Sequence, residues 1–495
     1  MNLEPRLTEF LEVDCHQMFI NGQYQKASSD TTISLVNPSN EKKFAKIRVA
    51  TVEDVDKAVK SSKKAFKSAQ WSKMYPADRE RLMLKLADLI EENAEALAQL
   101  VTLENGKLVR EAKSSDVLGA AKTFRYYAGW CTKLEGETID ISIKQKPDKQ
   151  NFAFTKREAI GVVGAIVPWN FPLSIAAWKV APAIAAGCAV VLKPSEVTPL
   201  SALFLAELFM EAGYPPGILN VLTGNGKKTG AALVAHPEIS KITFTGSTQA
   251  GKAIGIAAMQ NLTGVSLEMG GKSPGIIFAD ADLRSAAKGI AAGIFRNAGQ
   301  VCVAGSRVYI QRNIFDRVLT DICHAGDSMH ISDGFDPQAD IGPLASKAHY
   351  KKVCNFIEKG TEGGSILCTG GSNPKDKGFF MQPTVFSDET NDKMIISEEI
   401  FGPVLVGIPF DDVEDGLAKA NESDYGLAGT IWTRDINKAM HCMNELDAGF
   451  IGVNTVVRSD PNLPLGGFKK SGIGSELGKG GVYNYTKIKA VNIVY

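Results

Sequence analysis

The chain has 495 residues, 44% apolar and 22% charged, and Lys+Arg and Asp+Glu both number 55, so its formal net charge is zero. That composition is ordinary for a globular protein, and the length predicts two or three domains. It carries no basic surplus to draw in nucleic acid or an anionic membrane surface.

Taken in chain order, the opening "MNLEPRLTEFLEVDCH" carries acids and lacks an apolar core, so no secretory signal is expected and the cytoplasm is the expected location. Residues 79–100 place Leu82, Leu86, Leu89, Ile90 and Leu97 on one face, which predicts an amphipathic helix with a packing role. The segment 137–157 has a strand-like alternation with a charged middle. From about 159 to 270, short apolar runs alternate with helical stretches: "IGVVGAIVP", "CAVVLKP", "GILNVLTG" and "KITFTG" read as strands. Such alternation is the signature of βαβ units and a parallel sheet covered on both faces. Ligands bind these sheets at the carboxyl ends of the strands, so "PWNFP", "KPSE", "TGNG" and "FTGSTQAG" are the loops of interest. The longest apolar stretch, "SIAAWKVAPAIAAGCAVVLK", is broken by Lys179, Pro182 and Gly187 and is no membrane span.

"EMGGKSPGIIFADAD" reads as a domain crossing that begins at Glu268. Beyond it, "RVYI", "GFFMQPTVF", "GPVLVGIPF" and "AGTIWT" predict a second α/β region over 271–470. The tail "TKIKAVNIVY" predicts a terminal strand, which needs a partner within the chain or from a neighbouring subunit. Its candidate partner within the chain is the 137–157 segment. The eight cysteines include no CxxC pair and the six histidines no HExxH, so neither a disulfide framework nor a metal site is expected.

Local chemistry nominates several groups and leaves each open. In "KITFTGSTQAG", Gly246 and Gly251 bracket a turn and Ser247 can cap the helix that follows, an arrangement suited to a pyrophosphate. Thr248 stands where G-x-G-x-x-G has its middle glycine, and a plain capped helix reads equally well. Lys193 and Glu196 follow a strand end, where a carboxylate accepts hydrogen bonds from an adenosine ribose and repels a 2′-phosphate; a solvated loop is the alternative. Asn170, between Trp169 and Phe171, is either an oxyanion donor or a turn asparagine. Cys302 has no histidine near it in sequence, and lone cysteines are mostly small buried hydrophobes.

Together, "PWNFP", "KPSE", "FTGST", "LEMGGKSP", "GQVC" and "EEIFGP", in this order and at these separations, resemble the aldehyde dehydrogenase superfamily. The resemblance runs from "FINGQY" to the C-terminal strand, and "FRYYAGWCTKLEGETIDISI" and "NLPLGGFKKSGIGSELG" look most like its bacterial phenylacetaldehyde dehydrogenases. It implies a doubly wound Rossmann-like NAD-binding domain (1–136 and 158–270), a second α/β catalytic domain (271–470), and a small β oligomerisation arm with the C-terminal strand (137–157 and 471–495). It implies NAD as cofactor, an aldehyde as substrate and a homo-oligomer. By the resemblance, Cys302 attacks the aldehyde, Asn170 and the Cys302 N–H hold the oxyanion, and Glu268 activates the water that hydrolyses the thioester. Lys179 and Glu476 would serve the proton path. Val167, Pro168, Trp169, Lys193, Ser195, Glu196, Gly226, Gly230, Phe244, Gly246, Ser247, Gly270, Glu399 and Phe401 would meet the cofactor.

Phe171, Ile175, Trp178, Val301, Val457 and Leu465 would line the substrate channel with Arg296 and Arg458. The apolar members suit a hydrophobic aldehyde. Two arginines at the mouth would suit the carboxylate of an ω-semialdehyde, unless both face solvent or pair with acids such as Asp460. Members that pass the acyl group to coenzyme A typically lack the glutamate at position 268, so its presence implies a free acid product. A catalytically silent relative would lack Cys302, Glu268 or Asn170, and all three are present.

Overall fold

The helix expected over 79–100 is two helices in the computed structural model, which describes residues 3–391 and 393–495: α1 (Pro76–Glu92) and α2 (Ala94–Asn105). Asn93 divides them. Its Nδ2 donates to Leu89 O at 2.8 Å while its Oδ1 accepts from Arg6 at 2.9 Å, so its amide competes with the helical ladder. Leu86, Ile90 and Leu97 still point into the core.

The apolar runs between 162 and 268 become β1 (Val162–Ile166), β2 (Ala189–Lys193), β3 (Leu219–Val221), β4 (Lys241–Thr245) and β5 (Gly264–Glu268). They lie side by side in the order β3-β2-β1-β4-β5, all parallel. Every residue of β1 to β4 is buried, which is why β1 and β2 are nearly continuous apolar runs, whereas β4 alternates Lys241, Thr243 and Thr245 with Ile242 and Phe244 although both its faces are covered. Helix α3 (Pro172–Ala186) follows β1, α4 (Leu200–Ala212) follows β2 and α5 (Thr248–Met259) follows β4. The chain builds outward from β1 to β3, then returns to lay β4 against the other side of β1. The strand order reverses there, and the crevice above β1 and β4 is the natural ligand position of such a sheet.

A second sheet holds β6 (Pro274–Ile277), β7 (Arg307–Gln311), β8 (Ile366–Thr369), β9 (Thr384–Ser387), β10 (Val404–Phe410), β11 (Ala428–Trp432) and β12 (Phe450–Val453). Its order is β8-β9-β10-β7-β6-β11-β12, parallel except for the edge strand β8. Of "GFFMQPTVF" only the end is strand: Pro383 has no N–H to give, and Phe379 bonds Pro38 O and Leu344 N instead of a ladder. Helix α6 (Leu283–Phe295) links β6 to β7.

The tail strand Thr486–Val494 finds its partner within the chain. It pairs antiparallel with Asn151–Ala159, from Thr486 opposite Ala159 to Val494 opposite Asn151. The start of the 471–495 stretch belongs elsewhere, because Gly472–Ile473 adds antiparallel to the edge of the first sheet at β5. Among the described residues, no helix is long and apolar enough to cross a membrane.

Candidate active site

The first sheet presents its carboxyl ends to the site. Val167, Pro168 and Trp169 continue β1, and Val167 N donates to Lys193 O at 3.2 Å. The buried Lys193 donates to Pro194 O at 2.9 Å and faces the Glu196 carboxylate at 3.6 Å. Burial pulls the Lys193 pKa down, and Glu196 opposes that pull. Gly230 packs on the Lys193 stem, which brings the loops after β2 and β3 together; Gly226 lies exposed in the second of these, in open space. Ser195 Oγ accepts from Val197 N at 3.2 Å and stiffens the first. Ser247 caps α5 by accepting from Ala250 N at 3.3 Å. Gly246 admits no side chain because a Cβ would run into the ring of buried Phe244. The Thr245 hydroxyl is buried there without a partner. A helix start with free N–H groups, an unsatisfied hydroxyl and a Lys–Glu pair at the neighbouring strand end fit the phosphates and ribose of a dinucleotide.

The second sheet reaches the same place from its amino ends. After α6 the chain passes through Asn297 (φ 49°), Ala298 (φ 53°) and Gly299 (φ 72°), consecutive left-handed residues of which only glycine is at ease. Gln300 anchors the turn: its Nε2 donates to Asn297 O at 2.9 Å, and its Oε1 accepts from Ala345 N at 2.9 Å. Its carbonyl accepts from the Asn170 Nδ2 at 2.9 Å. Cys302 follows, beside its own and Val303's backbone N–H. Burial, then Glu399 and Glu268, push the thiol up to about 12, so the resting sulfur is protonated and needs a base.

Glu268 closes β5, is 4% exposed, and neither carboxyl oxygen has a partner. Burial first, and Glu476 second, hold it well above the usual carboxylate range, with Lys179 opposing. Lys179 and Glu476 form a buried ion pair, and Thr243 Oγ1 lies 3.2 Å from the Lys179 ammonium. Glu399 Oε1 accepts from Gly271 N at 3.1 Å, and its carboxyl lies so close on Gly270 that any Cβ there would displace it. Phe401 is left-handed (φ 62°) and stands edge-on to Trp169 at 5.5 Å between ring centroids. His349, which sequence reading missed, donates from Nε2 to Phe401 O at 2.7 Å; burial lowers its pKa to about 4 and keeps it neutral.

Cys302 opens on a cavity of about 1030 Å³ whose wall includes Phe171, Ile175, Trp178, Arg296, Val301, Val457, Arg458 and Leu465. Asn170 and Glu268 are nearly fully buried, 3% and 4% exposed. Arg296 is taken up internally: Nε donates to Glu111 at 2.6 Å and Nη2 to Ser115 Oγ at 2.6 Å. Asp460, a candidate partner for the arginines, pairs instead with Lys122 at 2.5 Å. Arg458 is exposed and has no ion pair or hydrogen bond from its side chain among the described residues. The helical wall that carries Leu118, Gly119 and Lys122 escaped the sequence reading, although their spacing puts them on one helical face. Gln300 lay inside a quoted motif, but nothing local marks it as the hub of the turn.

Comparison with known proteins agrees with this geometry. The aldehyde dehydrogenase family matches residues 24–491. The chain is 47% identical over 482 residues to a phenylacetaldehyde dehydrogenase of Pseudomonas fluorescens, covering 97% of this chain and 96% of that one. It is 42% identical over 495 residues to human retinal dehydrogenase 2, covering 100% and 94%. Among solved structures it is similar to an aldehyde dehydrogenase of Bacillus cereus in its NAD+ complex, with a TM-score of 0.97 and 44% identity, covering 100% and 99%.

Proposed function

The chain belongs to the aldehyde dehydrogenase family, and from that premise we propose that it oxidises an aromatic or other hydrophobic aldehyde, such as phenylacetaldehyde, to the free acid with NAD. In this reading Cys302 Sγ, once deprotonated, attacks the carbonyl carbon and forms a thiohemiacetal. The second N–H of the Asn170 amide and the Cys302 backbone N–H stabilise the oxyanion. NAD, held by the residues named below, would supply the hydride acceptor, and loss of that hydride from the thiohemiacetal carbon leaves the acyl group on Cys302 as a thioester. Glu268, whose carboxyl burial holds well above the usual carboxylate range and so makes a stronger base than an ordinary glutamate, takes a proton from the water that hydrolyses the thioester. Lys179 and Glu476, a buried pair whose charges both act on that carboxyl, serve its proton exchange.

Lys193 and Glu196 would hold the adenosine ribose, with Val167, Pro168, Trp169, Ser195, Gly226, Gly230 and Phe244 around it. Gly246 and Ser247 would meet the pyrophosphate, and Gly270, Glu399 and Phe401 the nicotinamide ribose and ring. The half-exposed Glu196 carboxylate supports NAD over NADP.

The observation that carries the substrate reading is the Arg296–Glu111 pair at 2.6 Å. It removes one of two arginines from service to a carboxylate and leaves Phe171, Ile175, Trp178 and Leu465 as the working wall. A second reading, an ω-semialdehyde, rests on the unpaired Arg458.

We read 1–136 with 158–270 as the cofactor domain, 271–470 as the catalytic domain, and the 137–157 and 471–495 stretches as an arm that joins copies into a dimer or tetramer. Exposed Ile488, Ile493 and Val494 on the tail strand support the last point. The cytoplasm is the proposed location, with no nucleic-acid or membrane partner.

The test is NADH formation by the purified protein with phenylacetaldehyde and with succinic semialdehyde, each with NAD and NADP. The reading predicts a clear preference for phenylacetaldehyde with NAD; preference for the semialdehyde would make Arg458 the specificity residue and overturn it.

A further inference from the structure

Two consecutive carbonyls ahead of the channel aromatic are held by a segment to which nothing above assigns a role. Asn105 Nδ2 donates to Trp169 O at 3.1 Å, and Lys107 Nζ donates to Asn170 O at 2.7 Å. The two clamp residues are themselves joined, since Lys107 N donates to Asn105 Oδ1 at 3.0 Å. The Lys107 ammonium stands 3.6 Å from the ring centroid of Phe171 and is ion-paired with Asp116, both side chains wholly buried. Asp116 Oδ1 also accepts from Ser174 N at 3.4 Å, in the first turn of α3. One buried pair thus ties together the Asn170 carbonyl, the face of Phe171 and the start of the helix that carries Ile175 and Trp178.

Such a pair is an expensive way to fill a core. Removing two charges from water costs several kcal/mol per ion, and apolar residues of similar volume often stabilise as well or better. Its presence beneath the reacting centre therefore calls for something that the pair positions. Asn170 O is held by Lys107 and, at 3.3 Å, by Asn297 Nδ2, so the direction in which the Asn170 side chain leaves the backbone is set. Gln300 O then takes one of the amide's two N–H groups. The remaining N–H is the one left for an oxyanion, and a donor of this kind must be held to roughly 0.5 Å of its working place.

We propose that Lys107, held by Asp116, is a positioning residue that sets the Asn170–Phe171 peptide and through it the oxyanion-stabilising amide. The inference rests on the reading of Asn170 as that donor.

A mutant cycle tests it. Lys107→Met with Asp116→Asn removes both charges, so neither is left buried alone; it is compared with Asn170→Ala and with the combined variant. Asn170→Ala is expected to lower kcat by roughly 10²–10³-fold. The Lys107/Asp116 variant is expected to lower kcat roughly ten- to hundredfold, with KM changed less than about threefold and cofactor affinity by fluorescence quenching unchanged. In the combined variant the two losses should not multiply, because groups acting through one donor are not additive.

A Lys107/Asp116 variant that keeps its kcat, or whose loss multiplies in full with that of Asn170→Ala, overturns the positioning role alone. Full activity in Asn170→Ala brings down the oxyanion reading and this inference together. If the Lys107/Asp116 variant does not fold, Asn105→Ala tests the same clamp with the ion pair intact: an unchanged kcat overturns the proposal, and a loss absent from the Asn170→Ala background supports it.

Discussion

The two sheets meet at one site from opposite ends, and they are built to different standards. The first offers its carboxyl ends, where the loops after β1, β2 and β4 contain no residue with positive φ among those described. The second offers its amino ends: the crossing before β6, the Asn297–Gly299 turn before β7, and the Glu399–Phe401 segment before β10. That side holds the left-handed Asn297, Ala298 and Phe401, each a conformation costing on the order of 1–3 kcal/mol for a residue other than glycine. A dinucleotide half can follow the common geometry of α/β sheets, because helix starts and strand ends already supply its donors. The reacting half has no such ready-made geometry. Cys302 is delivered by a turn that Gln300 closes locally onto Asn297 and that long-range bonds to Ala345 and Asn170 hold in place.

The sharpest way to separate the halves is Cys302→Ser. It should reduce aldehyde oxidation by at least about 10³-fold while NAD still quenches protein fluorescence as before. If oxidation survives, the second sheet does not supply the nucleophile. The strain comparison can be broken next. In Gly299→Ala the new Cβ would fall on the Gly402 carbonyl at a φ of 72°. A loss of about 2 kcal/mol or more in denaturant midpoints is expected, together with loss of activity. Gly226→Ala in the loop after β3 meets open space and should stay within about 0.5 kcal/mol of the parent. Equal effects at the two glycines would show that the difference in backbone strain has no energetic consequence.

A smaller effect is expected at Glu196. Glu196→Ser should shift the NAD-to-NADP ratio of kcat/KM by about tenfold, equivalent to about 1.4 kcal/mol, with the phenylacetaldehyde KM unchanged. The smallest concerns pH. In the proposed mechanism Glu268 works as a base in its ionised form, and burial raises its pKa, so turnover should rise with pH where an ordinary glutamate would already be fully ionised. Glu476 contributes to that rise by repulsion. Glu476→Gln should therefore lower the Glu268 pKa and move the acid limb of kcat to lower pH. An acid limb that stays in place would show that the two carboxyls do not sense one another.

The first two strands of the first sheet were legible because burial on both faces writes a nearly continuous apolar run into each. The 79–100 periodicity was equally plain, yet it hid the break at Asn93, where the side-chain amide bonds Leu89 O locally and Arg6 from far away in sequence. "GFFMQPTVF" misled because its apolar residues serve contacts with Pro38 and Leu344 rather than a ladder. The site divided in the same way. Cys302, Glu268 and Asn170 stood out only as members of an ordered set of motifs, whereas Lys107, Asp116, Gln300 and His349 carried no local signal.

The sequence alone determined the α/β class, the loops at the carboxyl ends of the first sheet and the family, since each rests on local periodicity or on ordered motifs. The tertiary structure decided the rest. It assigned Arg296 to Glu111, left Arg458 without a side-chain partner among the described residues, turned the amino edge of the second sheet toward the carboxyl edge of the first, and buried an ion pair beneath Phe171. These are choices among long-range partners, and charge and polarity written along a chain do not say which partner a side chain will meet.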